Sequence, residues 1–118
     1  MVSRIVPDTR RANATFAMVW QQRAYAVTLG YLQDHRTSIE VFVSAAKTAS
    51  DLEALARDAA IIMSFAMQYG APLGALARAV SRGEGGAPAS VIGAVLDGVA
   101  AFNASLEETD RLMAGGGK

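Results

Sequence analysis

The chain contains no cysteine, which excludes a disulfide framework, a thiolate zinc site and a cysteine nucleophile together, and which fits a reducing cytosol. Its one histidine, His35, cannot build an ordinary zinc site, because zinc needs several ligands converging from fixed elements. Set between Asp34 and Arg36, His35 reads as a solvated turn residue. Charge of one sign is missing too: 11 basic side chains face 11 acidic ones, so no global field attracts nucleic-acid phosphates or an anionic membrane. Nucleic acid and membrane are therefore not expected as partners. No apolar run approaches the about 18 residues of a membrane span, and Met1 to Arg11 hold no apolar stretch of signal-peptide length. A cytoplasmic protein is expected.

What remains is ample material for one core. Apolar residues are 52% of the chain and charged residues 19%, far from the composition that keeps a chain unfolded. At 118 residues there is room for a single domain. Residues 1–13 carry Arg4, Arg10 and Arg11 against Asp8, with Pro7 and no sustained periodicity, and are expected to be a semi-ordered basic arm. The domain proper is expected over 14–114, with a flexible tail at 115–118.

Period-two alternation marks three strands. Phe16, Met18 and Trp20 share one face; Tyr25, Val27, Leu29 and Tyr31 follow after the polar break Gln21-Gln22-Arg23; Ile39, Val41 and Val43 follow after Gln33-Asp34-His35-Arg36. The connections are short enough for an antiparallel meander, although the first lacks Asn-Gly turn chemistry. Such a sheet needs a helical layer over its apolar face.

Helical spacing takes over beyond residue 50. Ser50-Asp51-Leu52-Glu53 reads as a capping box, and Leu52, Leu55, Ala56, Ala59, Ile62, Met63, Ala66 and Tyr69 recur at helical intervals up to Gly70, the expected left-handed C-terminal residue. Pro72 opens a second, short helix through Val80. Arg82 to Pro88, rich in glycine, is expected to be a mobile loop. A third helix runs from Val91 to about Met113, and the fold class is α+β, a three-stranded antiparallel meander followed by three helices on one face. The surplus of apolar side chains on the third helix has two readings, packing within the chain or an interface with a homodimer mate or another protein. Its candidate interface residues are Val95, Val99, Phe102 and Leu106.

No catalytic constellation emerges. Asp51 and Glu53 are two apart and do not share a helix face, Gly83-Glu84-Gly85-Gly86 lacks the Gly-Lys-Ser/Thr ending of a phosphate loop, and Glu107, Glu108, Asp110 and Arg111 read as a solvated face. Arg10 and Arg11, close in sequence to Phe16, Trp20, Tyr25 and Tyr31, have two readings. They form either a basic stacking surface for a nucleotide or a basic arm beside aromatics that belong to the core. No cofactor and no metal are expected.

The run Ser44-Ala45-Ala46-Lys47-Thr48-Ala49-Ser50-Asp51-Leu52-Glu53-Ala54-Leu55-Ala56-Arg57-Asp58, continued by Ser64-Phe65-Ala66-Met67-Gln68-Tyr69-Gly70-Ala71-Pro72-Leu73, resembles the TSCPD domain. That family occurs at the C-terminus of adenosylcobalamin-dependent ribonucleotide reductases and as stand-alone small proteins. The resemblance covers about residues 4–97. It implies a non-catalytic accessory or regulatory module that binds protein, with a ribonucleotide reductase as one partner and nucleotide as a further ligand. It directs attention to Lys47, Thr48, Ser50 and Asp51, beside Arg10 and Arg11, as ligand- or partner-binding residues. Where the family carries Thr-Ser-Cys-Pro-Asp, this chain resembles it only as Thr48-Ala49-Ser50-Asp51, so the metal role associated with the cysteine is not implied. The alternative expectation is a homo-oligomeric or phage-type protein that inhibits or scaffolds a host complex.

Overall fold

A computed structural model describes residues 3–8, 10–34, 36–45 and 51–116. Its strands are β1 (Asn13–Trp20), β2 (Arg23–Tyr31) and β3 (Ser38–Ala45), and its helices α1 (Asp51–Gln68), α2 (Leu73–Ala79) and α3 (Val91–Gly116). The strands form one antiparallel sheet in the order β1-β2-β3, the meander expected from the alternation. Phe16 pairs with Val27 and Val27 with Val43, so these residues and those two apart from them along each strand share one face, while Val19 and Phe42 lie exposed on the other.

The β1–β2 turn is closed by Gln21 and Gln22, both at positive φ, 49° and 66°. Two consecutive left-handed residues let a two-residue turn follow the right-handed twist of the strands. Glutamine reaches that conformation at a steric cost that glycine avoids. The β2–β3 connection is held differently. The Asp34 carboxylate accepts the amides of Arg36 and Thr37, each at 2.8 Å, and the Thr37 hydroxyl, an aspartate side chain standing in for a backbone turn.

The core lies between the apolar sheet face and the helices. Val27, Leu29, Val41, Val95 and Val99 are wholly excluded from solvent, each contributing roughly 1.5–3 kcal/mol of burial. Tyr25 and Tyr31 are buried there as well, so packing and not stacking on a ligand is the use of these two rings. Phe16 and Phe102 stack with centroids 5.3 Å apart, and Gly98 lets α3 approach, since a Cβ there would stand 3.1 Å from Phe16.

Helix α1 uses a different face from the one its spacing suggests. Ala56, Ala60, Met63, Ser64, Met67 and Gln68 are buried, whereas Leu52, Leu55, Ile62 and Tyr69 point outward. Small alanines bring the helix close to the sheet, and its two buried polar residues serve the outer edge of β3. Ser64 Oγ accepts the Val41 amide at 2.8 Å and Gln68 Nε2 donates to the Ile39 carbonyl at 3.1 Å. Backbone groups that an edge strand would leave unpaired are thereby satisfied. The helix ends at Gly70, φ 103°, with Ala71 N–H bonded to Ala66 O and Gly70 N–H to Met67 O, a Schellman motif. The expected capping box rests on Ser50, which lies outside the described residues.

Three segments carry more structure than their composition suggests. The basic arm is docked: Ile5 N–H reaches the Gln68 carbonyl at 2.8 Å, Arg4 Nε donates to Gln68 Oε1 at 2.6 Å, and Arg11 pairs with Glu40. The segment Arg82 to Pro88 is a tied turn, because Arg82 grips Asp97 with two bonds of 2.6 and 2.9 Å and the Ala77 carbonyl with a third. Helix α3 continues to Gly116. In the first two cases an arginine finds a partner distant in sequence, which no local pattern announces.

Candidate functional site

Among the described residues, none covers the outward face of α1. Once Ala56, Ala60, Met63 and Met67 have turned to the sheet, the opposite side of an 18-residue helix carries Leu55 and Ile62, continued at the same interval of seven by Tyr69 just past its end, and they are 68%, 70% and 51% exposed. Leu52, Ala59 and Ala66 lie beside them on the same stripe, so the spacing alternates three and four along the whole helix, as in the seam of a helix pair. Ile61 and Phe65 widen it; both are more than two-fifths exposed. A helix that serves only its own core is polar on this side.

Charge is distributed unevenly along the stripe. Asp51 stands in its first turn, where the helix dipole favours acid, and Asp58 two turns further on. At the other end the Arg4 guanidinium lies 4.3 Å from the centroid of the Phe65 ring, fixed by its bond to Gln68 and exposed. A cation over an aromatic face is itself favourable, so the arm places positive charge at the C-terminal end of an apolar strip.

A second feature is a groove of about 530 Å³ between the arm and the β2–β3 end, lined by Asp8, Arg10, Arg11, Tyr31, Gln33 and Asp34 among others. Here the structure brings Arg10 and Arg11 together, yet they differ. Both line the groove, but Arg11 is engaged by both Glu40 carboxylate oxygens and the Asp8 carbonyl. Two carboxylates line the same groove, and Gln33 donates to that of Asp8 at 3.1 Å. The groove therefore presents as much acid as base to a phosphate. Burial pushes the Tyr31 phenol above its ordinary pKa, opposed by the hydroxyl of Ser38 and the charge of Arg36, so it stays protonated and donates to Asn103 Oδ1 at 3.2 Å.

The other expected site residues separate. Lys47, Thr48 and Ser50 lie outside the described residues, and Asp51 opens α1. Of the candidate interface on α3, Val95 and Val99 are corrected to core positions, covered by the chain's own sheet. Phe102 is half-buried in its stack with Phe16, and Leu106 packs against the core margin. Beyond them α3 projects, with Leu112 and Met113 exposed. The face of α1 was within reach of the sequence, since Leu52, Leu55, Ile62 and Tyr69 are visibly periodic. What misdirects the eye is that the larger apolar residues are taken for the core face.

Among the described residues, no cluster of His, Asp and Glu is placed to hold a metal ion, and no helix is long and apolar enough to cross a membrane. No protein-family model, curated protein or solved structure matches the chain.

Proposed function

We propose that this chain is a non-catalytic accessory module of the cytoplasm that acts by docking protein through the outward face of α1, in the way its resemblance to the TSCPD domain implies. The supporting observation is that face: a continuous apolar strip on an otherwise completed domain, of the kind that marks protein-binding surfaces. The mixed charge of the groove at Arg10 gives nucleotide phosphates no comparable attraction, which ranks protein above nucleotide as the ligand. An adenosylcobalamin-dependent ribonucleotide reductase is the partner to try first, with a host complex that the module inhibits or scaffolds as the alternative.

Titration of a purified reductase of that class with this chain, followed by calorimetry and by turnover, tests the proposal. Binding or a change in turnover by the unaltered chain is expected, with a loss of at least about thirty-fold in affinity for Ile62→Asp. Binding that is indifferent to Ile62→Asp would move the docking surface off α1. No binding and no effect on turnover would remove the reductase as partner.

A further inference from the structure

We propose that the occupant of the α1 face is a second copy of this chain, whose own α1 lies antiparallel to the first across a twofold axis passing between Ala59 and Ile62. The inference rests on the reading of that face as a docking surface and adds the identity and orientation of what covers it.

Three observations carry it. The first is the seam. Leu52, Leu55, Ala59, Ile62, Ala66 and Tyr69 alternate three and four residues apart over the full helix, the spacing that keeps one helix facing another. Alanines at Ala59 and Ala66 let two such helices approach closely. The second is charge. Asp58 and Phe65 lie seven apart on one flank of the seam, and Phe65 carries Arg4 over its ring. When two copies run antiparallel about the stated axis, Asp58 of each faces Phe65 of the other and hence its Arg4, so opposite charges meet twice. When they run parallel, this flank of each copy faces the opposite flank of its mate, so Asp58 and Arg4 do not meet and the charge pairing is lost. Charges flanking such a seam set partner and orientation in this way.

The third is area. The exposed parts of Leu52, Leu55, Ile61, Ile62, Phe65 and Tyr69 amount to something on the order of 600 Å², against roughly 800 Å² per partner in a standard interface. Ile5, 42% exposed and held beside the end of α1 through the Gln68 carbonyl, extends the patch toward that size. A twofold arrangement uses the same patch on both chains and closes upon itself, leaving no unpaired copy of the surface to propagate. A larger partner then reaches this face only by displacing the second copy.

The test uses the whole chain. Multi-angle light scattering across a dilution series is expected to give twice the chain mass, with at least about a thirty-fold rise in the dimer dissociation constant for Ile62→Asp. Because Ile62 is 70% exposed, that variant should keep the circular dichroism of the parent. Asp58→Arg alone should weaken the dimer, and adding Arg4→Glu should restore it. The absence of cysteine makes orientation readable from single introduced thiols. Under oxidation Ala59→Cys should link when mixed with Ile62→Cys, and Leu52→Cys only when mixed with Tyr69→Cys. Self-linking at Leu52→Cys would overturn the antiparallel arrangement, and a dimer indifferent to Ile62→Asp would overturn this interface. A strict monomer would overturn the proposal of a second copy. If that monomer still bound reductase in an Ile62-dependent way, the docking reading of α1 would stand while the dimer fell.

Discussion

Arg10 and Arg11 are neighbours with the same side chain, and the structure assigns them unequal weights. Arg11 spans both oxygens of Glu40, a carboxylate in a residue only 7% exposed, and removing it leaves that charge poorly solvated. Arg11→Ala should cost about 1–3 kcal/mol in urea unfolding, while Arg10→Ala should stay within about 0.5 kcal/mol. Equal, small effects would mean that the arm is not held through Glu40. Gly30 belongs to the same arrangement, since a Cβ there would overlap Glu40 Oε2 and stand 3.4 Å from Arg11 Nε. At the β2–β3 connection, Arg36 and Asp110 of α3 form two bonds of 2.5 Å, and the hydrogen bond to Arg36 holds the Asp110 carboxyl below its usual pKa. A carboxyl with a depressed folded pKa stabilises the fold above its unfolded pKa and loses that contribution as pH falls through the folded value. Asp110→Asn should therefore be slightly less stable than the parent at neutral pH, less so in high salt because both groups are exposed, and equal to it in strong acid. Thermal melts at the three conditions check this.

Elements in this fold are joined by a few polar residues that do double service. Gln68 is the clearest: its side chain bonds Ile39 of β3 and Arg4 of the arm, while its backbone carbonyl accepts from Ile5. Asn103 links α3 to β2 and β3 by accepting from Tyr31 and donating to Ser38. The β1–β2 turn lacks such economy. Gln21 and Gln22 occupy left-handed conformations that asparagine and glycine adopt more readily, so replacing the pair by Asn-Gly should stabilise the protein by about 1 kcal/mol without altering the register. A chemical-denaturation midpoint that fails to rise would imply that the glutamines contribute something the turn geometry does not explain. That three strands occur was legible from Phe16, Met18, Trp20 and their successors, because alternation is local. That Gln21 and Gln22 are left-handed was not, because neither residue type favours it.

For the whole molecule, the proposed antiparallel dimer makes stability a function of concentration. Association of the folded chain but not the unfolded one raises the melting temperature by mass action. Tm should climb with protein concentration for the parent and be flat for Ile62→Asp, and calorimetric scans over a hundred-fold range would distinguish these. The order of the elements, the class of the fold and the single core were written in composition and periodicity, since each follows from spacing within one segment. Which face of α1 meets the sheet, where Arg4, Arg11, Arg36 and Arg82 find their partners, and that Val95 and Val99 are interior were decided only by the tertiary structure. The reason is physical: periodicity identifies a helix with apolar residues on two sides, but the choice between them depends on how close the sheet must come and on which polar groups the edge of β3 leaves to be satisfied. Small Ala56 and Ala60 with Ser64 and Gln68 meet both demands, and the larger Leu55, Ile62 and Tyr69 are left facing outward.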